Sequence, residues 1–177
     1  MASSRLVDAL DRIDPLPYRG EAYRHLAPRW HPLSGAGARI QGGRWNPPES
    51  FATLYLALER ETAAAEFRRM AARVDRSPQD FLPRRLYRYR LDLRSVVDLT
   101  GEQAQLPEPL AGLDFAAADP KATQEAGEAA ALLGREAIWA PSATGTGAVL
   151  AIFIDRLLPD SVVEPLDFET WEAPPPT

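Results

Sequence analysis

The stretch RLYRYRLDL, residues 85–93, alternates apolar with charged side chains along most of its length. Successive side chains of a β-strand point to opposite faces, so this pattern predicts a strand with one face in the core and the other half-exposed. Residues 95–99, SVVDL, either extend this strand or form another one. The sequence therefore predicts a fold built around a β-sheet.

Further elements are predicted on both sides of this strand. Apolar runs predict five more strands, over residues 21–27, 53–58, 136–140, 147–154 and 162–166. Helices are predicted over residues 5–13, over residues 60–74, and from Asp119-Pro120 to about residue 134, where an aspartate N-cap precedes a proline. Residues 31–50 contain four glycines and three prolines and are predicted to be mostly loop.

The order of these elements indicates the fold class. Strands outnumber helices and lie towards both ends of the chain, which favours an α+β domain over a parallel, doubly wound sheet. We expect residues 1–177 to form a single domain with a mixed or antiparallel sheet core flanked by helices. Its core should span about residues 18–166, and the tail 167–177, which ends in WEAPPPT, is expected to fray.

Composition excludes several classes of protein. The chain has 177 residues, of which 45% are hydrophobic and 25% charged, so it can bury a core and is not disordered throughout. No apolar run approaches the roughly 20 residues of a membrane span, and charges interrupt the N-terminal segment, so we expect a cytoplasmic protein without membrane contact. The absence of cysteine excludes thiolate chemistry, and two histidines leave little for a metal site, so no metal is expected.

Charge is distributed unevenly along the chain. The net charge is −5, but residues 1–94 carry +6 and residues 95–177 carry −11. All basic residues except Lys121 are arginines, which suit forked recognition of phosphate and carboxylate, although genomic base composition also explains the bias. The acidic half either complements a basic partner or covers the basic half of the same chain.

The loop Gly42-Gly43-Arg44-Trp45-Asn46-Pro47 is the first candidate binding element. Paired glycines allow a backbone to approach a ligand closely, and Arg44 supplies a forked cation. The alternative is a tight turn with Trp45 buried and Arg44 in solvent, and spacing alone favours that alternative. The loop lacks the helix-opening patterns of a Walker A or Rossmann motif.

Three further sites carry polar side chains in suggestive settings. Arg24 follows Tyr23 on a predicted strand and suits phosphate binding, or is simply exposed at an edge. Glu66 lies between alanines and Phe67 on a predicted helix, where a half-buried carboxylate is either functional or paired, for example with Arg69. Ser142 lies in a loop of small residues without the setting of a hydrolase nucleophile.

Taken together, these segments resemble the RES domain, a family named for its arginine, glutamate and serine positions. The resemblance runs from about residue 23 to residue 154 and rests on Tyr23-Arg24, SGAGARIQGGRWNPP at 34–48, YLA at 55–57, Glu66, and APSATGTGAVLAIF at 140–153. It implies a fold similar to that of ADP-ribosyltransferases and the toxin of a bacterial toxin–antitoxin pair. It implies cleavage of the nicotinamide–ribose bond of NAD, which is a substrate and not a prosthetic group. The implied partner is an antitoxin with an Xre-type helix-turn-helix domain and a segment that blocks the active site, so direct DNA binding by this chain is not expected.

The resemblance also assigns roles to residues of this chain. It implies a catalytic group of Glu66, Arg44 and Tyr55. Glu66 would stabilise an oxocarbenium-like ribose in the transition state, and Tyr55 would stack on nicotinamide or position the ribose. The NAD-binding group that it implies comprises Arg24, Arg39, Arg44, Tyr55, Ser142 and Thr123. Arg39 is an alternative to Arg24 as a phosphate ligand, and Thr123 stands where some members place a functional serine.

The acceptor of the cleaved group stays open at this stage. Water, phosphate or a protein side chain would each follow the same first bond cleavage, and the last of these would make the chain an ADP-ribosyltransferase. A nucleic-acid-binding module is the alternative from another class, because aromatic residues are interleaved with arginines in the first half, although the sequence pI is about 5.1. A non-catalytic scaffold with a merely structural glycine-rich turn is the third.

Overall fold

A six-stranded mixed sheet organises the molecule in the computed structural model, which describes residues 3–176. The strands are β1 (Leu16–Leu26), β2 (Thr53–Ala57), β3 (Arg84–Asp98), β4 (Ala137–Pro141), β5 (Ala148–Phe153) and β6 (Val162–Trp171). The α-helices are α1 (Ser4–Asp11), α2 (Ala36–Gln41), α3 (Arg60–Ala72) and α4 (Lys121–Leu132). Short 3₁₀ turns cover Pro78–Phe81, Gln103–Gln105, Leu110–Gly112 and Ile154–Arg156.

The sheet closes on itself. Its strand order is β1-β2-β5-β4-β3-β6, and β1 also pairs with β3, so β1, β2, β5, β4 and β3 form a ring with β6 on the outer edge of β3. Only the β3–β4 pair is parallel among the pairings of the described residues. The predicted α+β fold with a mixed sheet is therefore confirmed.

Strand β3 follows the alternation of its sequence. Tyr89, Leu91 and Leu93 are completely buried, whereas Arg90 and Asp92 between them are exposed and half-exposed. Residues 95–98 extend the same strand, which resolves the alternative left open by the sequence. The adjoining buried carboxylate of Glu136 accepts hydrogen bonds from three backbone N–H groups, those of Arg94, Ser95 and Leu158 at 2.6–2.9 Å, so it is fully partnered by the fold.

Acidic side chains of β6 cover the outward arginines of β3. The guanidinium of Arg88 lies 2.6 Å from the carboxylate of Asp167, and that of Arg90 lies 2.6 Å from the carboxylate of Glu164. Both pairs join the basic first half of the chain to its acidic second half. The second half therefore neutralises part of the first within one molecule, as one of the two sequence-based explanations proposed.

The core consists of two main layers. One cluster packs between the strands and comes almost entirely from them: its fully buried large side chains are Leu54, Leu56, Tyr89, Leu91, Leu93, Leu150 and Ile152. The other joins α1 and α4 to the sheet, and includes Leu6, Leu10, Trp45, Val97, Leu110 and the alanines of α4. Truncating one of the buried leucines to alanine typically costs about 2–5 kcal/mol of stability.

The C-terminal segment departs from the prediction. A frayed tail from residue 167 is wrong for residues 167–171, because β6 continues to Trp171 and pairs with β3 along its length. Trp171 packs on Phe67, with ring centroids 5.7 Å apart, and stacks on His25 at 6.3 Å. Cross-strand ion pairs and this aromatic contact hold a segment whose own sequence is mostly polar.

Two local features also differ from expectation. The region predicted as loop over residues 31–50 contains the six-residue helix α2. Helix α4 begins at Lys121 and not at Pro120, although the carboxylate of Asp119 accepts a 3.0 Å hydrogen bond from the Lys121 N–H. Asp119 therefore still partners one of the first amide groups of the helix.

Candidate active site

A cavity of about 430 Å³ opens between β1, β2, α2, α3 and the start of α4. This volume is typical of sites for small organic ligands. The charged side chains along its described wall are four arginines and one carboxylate: Arg24, Arg44, Arg69, Arg73 and Glu66. The wall is therefore strongly basic, although the protein as a whole is acidic.

The glycine pair at 42–43 shapes the loop that carries Arg44. Gly42 has a φ of +74°, and the N–H of Gly43 donates to the Asn46 carbonyl at 2.9 Å. A Cβ on Gly43 would lie 2.4 Å from the hydroxyl oxygen of Tyr55. The glycines thus allow a tight turn and the close approach of a tyrosine, which differs from the close approach of a ligand that the sequence indicated.

Tyr55 fixes this loop from the neighbouring strand β2. Its hydroxyl accepts a 2.9 Å hydrogen bond from the Trp45 N–H and donates a 2.7 Å bond to Oδ1 of Asn46. The amide of Asn46 in turn donates to the Ala38 carbonyl at 2.7 Å, which ties the loop to α2. Burial raises the pKa of the Tyr55 phenol, so it stays protonated at neutral pH.

Helix α4 supports the same loop from below. Trp45 is buried, and its backbone approaches Gly127 so closely that a Cβ there would lie 1.7 Å from the Trp45 carbonyl oxygen. Gln124, one turn earlier, donates a 2.9 Å hydrogen bond to the Gly43 carbonyl. The sequence offered a tight turn with Trp45 buried and Arg44 in solvent as an alternative. The burial of Trp45 agrees with that alternative, but the Arg44 side chain lines the cavity.

Arg44 is held in place through one of its nitrogens. Nη1 donates to the Ala117 carbonyl at 2.5 Å. Burial lowers the pKa of Arg44, and the positive charges of Arg69 and Arg73 lower it further, while Glu66 and Asp114 act in the opposite direction. Such a cluster of like charges favours an anionic ligand between them.

Glu66 is fixed by a serine from another element. It is half-buried on α3, and its Oε1 accepts a 2.7 Å hydrogen bond from the hydroxyl of Ser142. Ser142 also lies 2.7 Å from the hydroxyl of Thr144. The ion pair with Arg69 that the sequence offered as an alternative is not formed; Arg69 instead donates to the Ala143 carbonyl. The structure thus brings the predicted glutamate and serine into direct contact.

Arg24 lies on strand β1. Its two terminal nitrogens donate to the Pro32 and Ser34 carbonyls at 3.1 and 2.9 Å. Burial lowers the pKa of Arg24 as well. The guanidinium therefore borders the cavity while it also holds the segment that precedes α2.

Three predicted residues, Ser142, Arg39 and Thr123, are not part of the described cavity wall, and Ser142 reaches it only through its hydrogen bond to Glu66. The other two lie elsewhere. Arg39 is exposed on α2, whose residues Gly37, Ala38 and Gln41 line the cavity instead. Thr123 is buried, and its hydroxyl donates a 2.8 Å hydrogen bond back to the Pro120 carbonyl. Neither side chain is positioned to contact a molecule in the cavity.

Two arginines of the cavity wall were not selected from the sequence. Arg69 on α3 and Arg73 at its C-cap lie one and two turns beyond Glu66 on the same side of the helix, while Gln124 lines the cavity next to Thr123. The spacing of three and seven residues from Glu66 was a usable signal for both arginines. His25 also borders the cavity; its Nδ1 accepts a 3.0 Å bond from Arg84 Nε. Burial and the charges of Arg84 and Arg24 lower the pKa of His25 to about 3, so it is neutral.

The cavity arginines differ from many arginines elsewhere in the protein. Seven arginines of residues 3–176 form ion pairs with carboxylates, but none of the four in the cavity wall does. Arg24, Arg44 and Arg69 donate hydrogen bonds to neutral backbone carbonyls instead. The wall therefore keeps its positive charge for a ligand, and it suits a molecule with several negative charges and a cationic centre beside Glu66.

Residues 3–176 contain no group of three or more histidine, aspartate or glutamate side chains able to hold a metal ion. Within the same range, no helix has the length and apolar character needed to cross a membrane.

Comparisons with known proteins place this architecture among described ones. The family model described as the RES domain matches residues 12–173. The proteins named NAD(+) phosphorylase MbcT from Mycobacterium tuberculosis and Mycobacterium bovis are each 31% identical over 156 residues, which is 87% of this chain and 84% of theirs. A chain in the crystal structure of the M. tuberculosis MbcT-MbcA toxin-antitoxin complex superposes with a TM-score of 0.83 at 26% identity, covering 96% of this chain and 93% of that chain.

Proposed function

Because this chain belongs to the RES domain family, we propose that it is a toxin enzyme that cleaves the nicotinamide–ribose bond of NAD and transfers the ADP-ribosyl group to inorganic phosphate. The MbcT relatives are named NAD(+) phosphorylases, and the matching fold comes from a toxin–antitoxin complex. These names favour phosphate over the other acceptors that the sequence left open. The observation that carries the proposal is the cavity, whose wall over residues 3–176 combines one carboxylate with four arginines that form no ion pair within that range.

Charge complementarity supports NAD as the substrate. The diphosphate of NAD carries two negative charges, and guanidinium groups bind phosphate oxygens in a forked geometry. Arg24 and Arg44 border the cavity from β1 and from the loop after α2, and their remaining N–H groups are available for this bridge. Arg24 would then share its donors between the diphosphate and the carbonyls that it now holds.

Glu66 supplies the negative charge that the reaction needs. As the bond between the ribose carbon and the nicotinamide nitrogen breaks, its electron pair moves to the nitrogen and positive charge develops on the ribose. A carboxylate beside that sugar stabilises the transition state more than the ground state. Ser142 holds one oxygen of Glu66, which leaves the other oxygen for the ribose. Ser142 is therefore proposed as a positioning residue.

Phosphate completes the reaction. One of its oxygens forms a bond to the ribose carbon as nicotinamide leaves, so the products are nicotinamide and ADP-ribose 1″-phosphate. Tyr55 is proposed to act through the Arg44 loop, because its hydroxyl is fully engaged there, although its ring borders the cavity. Arg39 and Thr123 receive no role in this proposal.

The setting of the enzyme is proposed with it. We infer that residues 1–177 act as one NAD-consuming domain in the cytoplasm, and that an antitoxin restrains it. The solved complex of the related fold contains an antitoxin, MbcA. An Xre-type antitoxin with a segment that enters the cavity is the specific partner that we propose, since the cavity is open to the surface and basic.

A product analysis tests the function. The purified protein is incubated with NAD in the presence and absence of inorganic phosphate, and the products are resolved by mass spectrometry. We expect nicotinamide and ADP-ribose 1″-phosphate, at a rate that rises with phosphate. Free ADP-ribose at an unchanged rate would identify a hydrolase, and an added protein mass would identify an ADP-ribosyltransferase. Stable NAD under all conditions would reject the proposal.

A further inference from the structure

Two arginines, one on α3 and one at its C-cap, have no role in NAD binding as proposed above. Arg69 is half-buried and Arg73 is exposed, and both line the same cavity as Glu66. Residues three and four apart on a helix share one face, so Glu66, Arg69 and Arg73 follow one another along the wall. Because an α-helix rises by about 1.5 Å per residue, the Cα atoms of Glu66 and Arg69 lie less than one helical turn apart along the axis.

A charge count distinguishes these two arginines from the others. The two charges of a diphosphate are matched by Arg24 and Arg44, and the cationic nicotinamide ribose is matched by Glu66. Arg69 and Arg73 are then left without a negative partner from NAD or from any carboxylate among residues 3–176. Two adjacent unmatched guanidinium groups form a binding site for a second anion.

The loop after β4 fixes Arg69 relative to Glu66. Ser142 donates to the Glu66 carboxylate, and the next residue, Ala143, accepts a hydrogen bond from Nη1 of Arg69. The segment 142–143 thus orients both Glu66 and Arg69. An anion on the free edge of the Arg69 guanidinium would lie beside the carboxylate that faces the ribose, where an acceptor has to be.

We propose that Arg69 and Arg73 bind the acceptor phosphate of the reaction. This inference rests on the proposed function and deepens it, because it assigns the second substrate to its own residues. Bound there, one phosphate oxygen attacks the ribose carbon while the C–N electron pair leaves with nicotinamide. The guanidinium groups offset the repulsion between the phosphate and Glu66. The pKa of Arg44 is lowered by burial and then by the charges of Arg69 and Arg73, which agrees with a compact basic cluster.

Steady-state kinetics with two variants test the assignment. Arg73→Gln removes a charge whose side chain makes no hydrogen bond or ion pair within the described residues, and Arg69→Lys keeps the charge but loses the fork. We expect the KM for phosphate to rise about tenfold to a hundredfold in each variant, since a hydrogen bond to a charged group has that weight. The KM for NAD should change less than about threefold.

Arg68→Gln is the matched control. Arg68 lies on the same helix but outside the cavity, where it donates to the carbonyls of Pro175 and Pro176. Its substitution should leave both KM values unchanged. A thermal shift on adding inorganic phosphate alone provides a second readout: we expect it in the wild-type protein and a reduced shift in Arg73→Gln.

The outcomes separate the two proposals. If the wild-type rate depends on phosphate but both variants keep its KM, the assignment of Arg69 and Arg73 is wrong and the function stands. If the KM for NAD rises instead, the two arginines bind the dinucleotide, which also overturns the assignment. If NAD is stable, or is consumed without need of phosphate, the proposed function itself fails.

Discussion

The hydroxyl of Ser142 donates a 2.7 Å hydrogen bond to Oε1 of Glu66, although the two residues lie 76 positions apart in the chain. This contact joins the loop after β4 to the second turn of α3. It fixes one oxygen of the one carboxylate in the described wall of the cavity. The proposed chemistry depends on that orientation, because a freely rotating carboxylate would stabilise the reacting ribose less well.

Removal of this hydrogen bond should reduce turnover. In Ser142→Ala we expect kcat to fall by about tenfold to a hundredfold, the weight of a hydrogen bond to a charged group, while the KM for NAD stays near the wild-type value. Ser161→Ala is the control, since the Ser161 hydroxyl is buried without a hydrogen-bond partner in the described structure. An unchanged kcat in Ser142→Ala would show that Glu66 needs no orientation.

Loss of the Glu66 charge should affect the rate more strongly. Glu66→Gln keeps the shape and can still bond Ser142, so the fold should persist while kcat falls by roughly 10²–10³-fold. NAD consumption and a thermal melt measure the two effects separately. Glu61→Gln, an exposed carboxylate on the same helix, should leave activity unchanged. Near-normal turnover by Glu66→Gln would contradict the mechanism.

The contact between α4 and the Arg44 loop should not tolerate a side chain. In Gly127→Ala the new methyl group would meet the Trp45 carbonyl, which belongs to the backbone and cannot swing away. We expect a loss of about 1–3 kcal/mol or more in the free energy of unfolding, even though alanine favours a helix. Chemical denaturation measures it against Gly101→Ala, where no atom lies within 4 Å of the new Cβ. Equal stabilities would show that α4 shifts freely.

The Tyr55 hydroxyl should matter for stability and for catalysis. Tyr55→Phe leaves the Trp45 N–H and the Asn46 side chain without their partner, and an unsatisfied buried group costs about 1–3 kcal/mol. The ring itself is retained, so stacking on nicotinamide would be unaffected. We therefore expect a lower Tm together with a higher KM for NAD, through a displaced Arg44. A variant with normal Tm and normal kinetics would remove Tyr55 from the positioning network.

His25 should make the fold sensitive to acid. Its pKa is about 3 in the folded protein and 6.5 as a free side chain, so the unfolded chain binds more protons between these values. The His25 contribution to stability is therefore present above pH 6.5 and is lost as the pH falls towards 3, by up to about 1.4 kcal/mol per pH unit. Unfolding of wild type and His25→Gln across this range measures it. His31→Gln, at an exposed position, should retain the wild-type slope.

The sheet was largely predictable from the sequence, because alternation in β3 and apolar runs in β2 and β5 depend on local periodicity. The end of β6 was not, since residues 167–171 are held by ion pairs and by the Trp171 contact with Phe67, which only the folded chain supplies. Local composition near the C-terminus indicates fraying when such partners are unknown.

The candidate site, like the sheet, was predictable from the sequence only in part. Arg24, Arg44, Tyr55 and Glu66 border one cavity, and Ser142 lies behind its wall in contact with Glu66. Arg39 and Thr123 do not border it, because the direction of a side chain on a short helix or at a helix start depends on its packing and not on its place in a motif.

The free edge of β6 has a consequence for behaviour at high concentration. In the described sheet β6 pairs only with β3, so its other edge is open along the strand to another molecule. That strand carries Glu164, Pro165, Asp167 and Glu169, which are residues that discourage intermolecular strand pairing. The acidic side chains that neutralise β3 thus also protect the protein from edge-to-edge aggregation.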